Sequence, residues 1–325
     1  MRVCLTSAYI FDSQTKTHIK LPDLPHGMWP CGGAIINGYF YIVGRGKIYR
    51  MSLSKRSLWE LVLSSDFVIF VHNVVSDGEK LYVFNSYHHV GFISYDPSKK
   101  SCTRLPRLPK ARAQWGHVSA IVGDNIFIIG GCNGCNDSTA CTANGHISPY
   151  SSSVKIFSIS TQQWSEGPSL PKPVYGAAAC VIEGRWIVVT GGKLDKCDRS
   201  SKSFIYDTLT QKWTGKNVAL ERHRTGHSCV AIGKQIISIG GDDYFEWINY
   251  HSTVETIHKK YIICNWEIIK DFILLRYLVD EGRAHLANPK SETQENGNGK
   301  GSKMLEKIMT DMNVDVFMEV LSFLI

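Results

Sequence analysis

The chain has 325 residues, 43% of them hydrophobic, 20% charged and 11% aromatic, which supplies a sizeable core and excludes general disorder. Its formal charge of +7 is spread out with no long run of like sign, so it leaves no footprint for nucleic acid. The most apolar stretch, 261–279, holds Glu267, Lys270, Asp271 and Arg276, too many charges for a membrane span. Thr6, Ser7 and Tyr9 interrupt any apolar signal near Met1, so the ten Cys are expected to be reduced thiols of a cytoplasmic or nuclear protein.

In chain order, the first element is Tyr9-Ile-Phe11-Asp12 running to His18. It reads as an aromatic strand, a turn in which Asp bonds backbone amides two residues on, and a returning strand. Ala34-Ile-Ile36, Asn37-Gly38 and Tyr39 to Gly44 follow, two β-rich runs about an Asn-Gly turn, which is a hairpin signal. Asp77 to Asn85 repeats the second run of that hairpin, and Phe92 to Cys102 repeats the aromatic-Asp element. Val118 to Val122 and Gly123 to Gly130-Gly131 form the next hairpin, followed by Val154 to Trp164. Ala177 to Ile182 and Glu183 to Gly191-Gly192 come next, followed by Phe204-Ile-Tyr206-Asp207 to Trp213. Ser228 to Ile232 with Gly233 to Gly240-Gly241 is the last clear hairpin, and Ser252 to Trp266 is a degenerate tract.

The first Gly position of the doublet falls at 44, 85, 130, 191 and 240, with Asn85 in place of Gly. Hairpin, Gly-Gly, hairpin therefore makes one four-stranded unit that recurs along the chain. Such a unit cannot bury both faces alone, and radial stacking buries each sheet against the next. Gly-Gly, then Tyr-Asp, then Trp, with linkers such as Leu105-Pro-Arg-Leu-Pro109 and Trp164-Ser-Glu-Gly-Pro-Ser-Leu-Pro171, resembles the kelch repeat. The resemblance implies an all-β fold, a kelch-type β-propeller of five or six four-stranded blades spanning 1–265, with the first unit partial. It also implies closure by a blade shared between the two chain ends. Ser158 stands where the repeat has Asp, and Cys102 and His18 stand where it has Trp.

An Arg-x-x-x-Gly-His tract opens two units, Arg112 to His117 and Arg222 to His227, with His72 in the same slot of a weaker one. Regular placement puts Arg112, His117, Arg222, Arg224 and His227 on one loop face, as donors to carboxylates of a partner protein. The alternative is that each satisfies backbone carbonyls between blades. The long Asn-, Gly- and Ser-rich insertion between Gly131 and Val154 is a second candidate contact on that face. Within it, Cys132, Cys135, Cys141 and His146 are ligand types for zinc, but the short spacing and the lack of a fixed element favour free thiols. Some kelch propellers carry a copper oxidase site, yet no tract here matches one. No phosphate loop, His-Glu-x-x-His helix or nucleophile elbow occurs. The reading is a non-enzymatic protein-binding module with no cofactor, no metal, no nucleic acid and no membrane.

Beyond the propeller, 266–287 reads as an amphipathic helix through Ile268, Ile269, Phe272, Leu275 and Val279. Residues 288–303 have the composition of a flexible linker. The segment 304–325 ends in an apolar stripe of Val316, Phe317, Val320, Leu321 and Leu324. Asp311 to Leu324 resembles the opening of an F-box, with Asn313 where that family has Pro. The resemblance implies cullin-ligase adaptor subunits as partners of the helix and substrate recognition for a ubiquitin ligase as the role. A structural or cytoskeletal scaffold is the alternative, with the helix docked on its own propeller.

Overall fold

The computed structural model describes residues 6–258, apart from 13–14, 16, 29–30, 57, 66–70, 86–90, 110–113, 134–149, 195–199, 215–218, 233–234 and 242–253. An N-terminal hairpin joins β1 (Ala8–Phe11) to β2 (His18–Leu21). Blade 1 holds β3 (Gly32–Ile36), β4 (Tyr39–Gly44), β5 (Lys47–Ser52) and β6 (Glu60–Ser64). Blade 2 holds β7 (Val71–Ser76), β8 (Leu81–Asn85), β9 (Phe92–Asp96) and β10 (Ser101–Arg104). Blade 3 holds β11 (Gln114–Val122), β12 (Asn125–Asn133), β13 (Val154–Ser158) and β14 (Gln163–Gly167). Blade 4 holds β15 (Ala178–Ile182), β16 (Trp186–Thr190), β17 (Ser203–Asp207) and β18 (Lys212–Thr214). Blade 5 holds β19 (Ser228–Ile232), β20 (Gln235–Ile239) and β21 (Val254–His258). Within every blade the strands neighbour one another in chain order, as two successive hairpins require. The helices and linker expected over 266–325 lie outside the described residues.

The turns follow from their side chains. Asn37 and Gly38 (φ 48° and 76°) and Glu183 and Gly184 (φ 52° and 61°) are left-handed pairs, the geometry that matches strand twist in two-residue hairpins. In the second hairpin of blade 2, Asp96 Oδ1 accepts from the amides of Ser98 (3.0 Å) and Lys99 (3.3 Å). In blade 4, Asp207 accepts from the Leu209 amide at 3.0 Å and from Arg185 Nε and Nη2 at 2.8 and 2.7 Å. Burial pushes that carboxyl up, but the bonds from Arg185, Thr210 and Leu209 outweigh it and hold it below its ordinary value. Blade 3 has Ser158 at this corner, and Asp124 of the facing turn supplies the carboxylate, accepting from Ser158 Oγ at 2.7 Å and the Ser160 amide at 2.9 Å.

The sheets are arranged radially. The first strands β3, β7, β11, β15 and β19 lie side by side in succession, and apolar clusters fill the wedges between neighbouring sheets. Leu21, Leu24 and Met28 pack on Tyr49, Met51 and Trp59 of blade 1. Tyr41 and Val43 meet Val83 and Tyr95 between blades 1 and 2. Phe84 and Phe92 meet Ile126 and Phe157 between blades 2 and 3. Val118 and Phe127 meet Val189 and Tyr206 between blades 3 and 4. At the outer rim, the indole N–H groups of Trp59, Trp164 and Trp213 donate to the carbonyls of Pro22, Pro106 and Pro168 at 2.8, 2.9 and 2.8 Å. Each accepting Pro belongs to the segment leaving the preceding unit, so the indole ties each outer strand to the unit before it.

The Gly-Gly doublets lie within the last residues of β12 or just past β16 in left-handed conformation, at φ 69° and 90° for Gly130 and Gly131 and 64° and 87° for Gly191 and Gly192. A Cβ on Gly191 would stand 2.6 Å from the Arg224 carbonyl and 2.7 Å from His227 Cε1, whereas one on Gly184 would meet nothing within 4 Å. Both positions carry the same backbone strain for Ala, but only Gly191 adds a clash with main chain. Gly184→Ala is therefore expected to cost about 1–2 kcal/mol in urea unfolding, and Gly191→Ala about 2–5 kcal/mol. Equal losses would show that the close approach contributes nothing.

Candidate partner-binding face

The linkers that enter the inner strands meet the ends of the second strands, and there the main chains are bonded directly. Gly131 N donates to Val174 O and Gly192 N to Arg224 O, both at 2.7 Å. Gly176 N donates to Gly116 O, and Gly226 N to Gly176 O, both at 2.8 Å. A glycine from blade 3, one from the linker before blade 4 and one from the linker before blade 5 thus form a continuous hydrogen-bonded series across one face of the ring.

The residues expected to act as donors on this face take different places. Arg112 lies outside the described residues. Arg222 is exposed. Arg224 is fully buried, with Nη1 donating to the Gly240 carbonyl at 2.6 Å. Its own carbonyl accepts from Gly192, so its main chain and its guanidinium both serve the seam between blades 4 and 5. His227 is buried, with Nε2 2.9 Å from Thr190 Oγ1 of blade 4. His117 is buried against the Phe84 ring at 5.8 Å, and its carbonyl accepts from Asn73 Nδ2 at 2.6 Å. Arg224, His117 and His227 thus occupy the inter-blade role, and Arg222 stays at the surface.

Burial, with a smaller contribution from the Arg224 charge, lowers the His227 imidazole from 6.5 to about 4. The unfolded chain takes up that proton near the ordinary value, whereas the folded chain resists it. The stability contributed by neutral His227 is therefore complete above pH 6.5 and is lost as pH falls towards about 4. At 1.36 kcal/mol per pKa unit this amounts to about 3 kcal/mol. Urea unfolding across that window should show the wild type losing about that much more stability than His227→Gln. Parallel curves would assign the pH dependence to another group.

A cavity of about 580 Å³ opens where the first linker meets blade 1, lined by Thr6, Pro25, His26, Gly27, Met28, Gly44, Arg45, Lys47 and Tyr49. His26 and Arg45 are exposed and Lys47 is half-buried, while Met28 and Tyr49 are the buried part of the lining. Arg45 Nη1 donates to the Gly27 carbonyl at 3.3 Å, which fixes the guanidinium over the linker. Arg45 occupies the slot of the second Gly of the doublet and keeps a left-handed φ of 48°. His26, Arg45 and Lys47 are not among the site residues that the repeat pattern picks out. The available signal was Gly44-Arg45-Gly46, where an arginine interrupts the doublet and a backbone conformation costly for a side-chain-bearing residue is retained.

Among the described residues, no group of three or more His, Cys, Asp or Glu could hold a metal ion. Cys132 is buried, and the remainder of its Cys-x2-Cys tract lies outside the described residues. No described helix is long and apolar enough to cross a membrane.

Comparison with known proteins gives one family match and several relatives. Residues 69–241 match the KLHDC2/KLHL20/DRC7 Kelch-repeats domain. The chain is 26% identical over 148 residues to Kelch-like protein terF of Aspergillus terreus, covering 46% of this chain and 31% of that protein. It is 25% identical over 196 residues to Kelch-like protein 36 of Mus musculus, covering 54% of this chain and 30% of that one. It thus spans under a third of the length of these curated relatives. The solved structure of YjhT superposes with a TM-score of 0.58 at 22% identity, covering 68% of this chain and 75% of that one, a likeness of fold alone. With a family match over more than half of its length, on the same repeat that builds the sheets, the chain belongs to the kelch-repeat family.

Proposed function

We propose that this kelch-repeat interaction module takes an acidic segment of a partner protein on its loop face, as the substrate-recognition part of a ubiquitin ligase in the cytoplasm or nucleus. The observation that carries the first half is the rim of the blade 1 cavity, where Arg45, Lys47 and His26 surround a lining that includes the buried Met28 and Tyr49. A guanidinium fork and an ammonium beside an apolar wall suit a carboxylate followed by an aliphatic or aromatic side chain. The chain's net charge of +7 favours encounter with an acidic partner. The ligase half is supported by the F-box-like segment Asp311 to Leu324. No catalytic role is assigned to any residue.

Affinity purification with mass spectrometry tests both halves, using the full chain, an Arg45→Glu/Lys47→Glu variant and a version ending at Lys303. The charge reversals should reduce recovery of the direct partner by about tenfold or more, with the melting temperature unchanged. Cullin-ligase adaptor subunits should come down with the full chain and be lost on ending it at Lys303. Undiminished partner recovery by the double variant would remove the cavity from the recognition surface. The same non-ligase proteins on both lengths of chain would leave a scaffold role and end the ligase reading.

A further inference from the structure

The seam between blades 4 and 5 holds a pair of thiols on facing strands. In and just before β15, Ala177, Ala179 and Val181 pack on blade 3. Strand alternation then turns Ala178, Cys180 and Ile182 to the opposite side, where they are 6%, 7% and 2% exposed. Their neighbour on that side is β19. In β19, Ser228, Val230 and Ile232 are exposed, whereas Cys229 and Ala231 are the partly buried set. The covered sides of the two strands thus bring Cys180 and Cys229 together, and a hydrogen bond joins their side chains. Both are unbridged.

We propose that Cys180 and Cys229 form a dithiol modification site, which a small-molecule disulfide such as oxidised glutathione converts to a bond stapling blade 4 to blade 5. Cys229, the more exposed of the two, gives its proton to solvent and attacks one sulfur of the reagent. The reagent's S–S bond breaks, and one glutathione leaves as thiolate and takes up a proton. Cys180 then loses its proton and attacks Cys229 Sγ, expelling the second glutathione. Two protein thiols are oxidised and one glutathione disulfide is reduced to two thiols, so the exchange balances. The bond to Cys229 and then burial hold the Cys180 thiol well above its ordinary value. Cys180 is accordingly the resolving sulfur and not the attacking one. The closed loop encloses β16 to β18 together with Arg224 and His227, so the staple fixes the last described sheet to the ring.

The test treats the reduced full-length protein with oxidised glutathione at mildly alkaline pH, then blocks the remaining thiols and maps peptides by mass spectrometry. A cross-linked peptide pair containing Cys180 and Cys229 is expected, with no glutathione retained on either. The melting temperature should rise by roughly 5–10 °C and return on reduction. Cys229→Ser should abolish the cross-link and the shift together. Glutathione persisting on Cys229 of the folded wild type, or both thiols remaining free to alkylate after treatment, would overturn the proposal without reliance on how either variant folds.

Discussion

Where one sheet hands over to the next, two main chains bond to each other with no side chain between them. Gly131 to Val174 and Gly192 to Arg224 are amide-to-carbonyl bonds of 2.7 Å, and a Cβ on Gly192 would stand 2.9 Å from the Tyr175 carbonyl. This contact sets the inner spacing of the sheets. The indole bonds of Trp59, Trp164 and Trp213 to Pro carbonyls set the outer spacing. A short inner contact and a longer outer one define a wedge, and the apolar clusters between blades are what fills it. Backbone pairing at the hub also removes polar groups that burial would otherwise leave unsatisfied.

Departures from the repeat then fall into two kinds. Ser158 in place of Asp is restored locally, because Asp124 on the facing turn makes the same kind of bond from the other side. Blade 4 makes its version with Arg185 and Asp207. The corner is conserved as an interaction while its residues trade places, so it carries no information about partners. Arg45 is different. It keeps the left-handed backbone of the doublet, and its side chain lines an open cavity. Local strain of order 1 kcal/mol or more is retained there by a residue whose side chain reaches the Gly27 carbonyl.

The sheets were readable because each depends on short-range chemistry. Asn37-Gly38, Asp96-Pro-Ser and the Gly doublets specify turns within a few residues, and apolar alternation places the strands between them. The hairpin β5–β6 of blade 1 is hidden in the sequence, since the seven residues from 53 to 59 separate its aromatic strand from its returning one and mask the shared spacing. The site was much less legible. Arg222 and Arg224 are two residues apart in the same tract, yet one is exposed and the other fully buried. That difference depends on the Gly240 carbonyl, which arrives from another strand. Residue type alone does not distinguish an arginine offered to a partner from one that ties two blades. Likewise Pro25 to Met28 meet Gly44 to Tyr49 only through the handover between the N-terminal hairpin and blade 1.

The linker slot whose carbonyl receives the second glycine amide shows how one position can change the character of a seam. Blade 3 receives Val174 there, buried in the apolar cluster it shares with blade 4. Blade 4 receives Arg224 at the same slot, bonded in the same way through its main chain. A buried guanidinium loses its hydration and must be repaid by local acceptors, and the Gly240 carbonyl is one of these. Its charge also acts on the neighbouring His227, adding to burial in keeping that imidazole neutral. The seam of blade 5 therefore differs from the apolar one in holding a buried guanidinium beside a buried imidazole, and it is chiefly the burial of His227 that ties its stability to pH. The thiols of Cys180 and Cys229 lie along the same seam, on its inner strands. The boundary of blade 5 is thus where the ring concentrates chemically responsive groups, while the boundary between blades 3 and 4 is held by hydrocarbon.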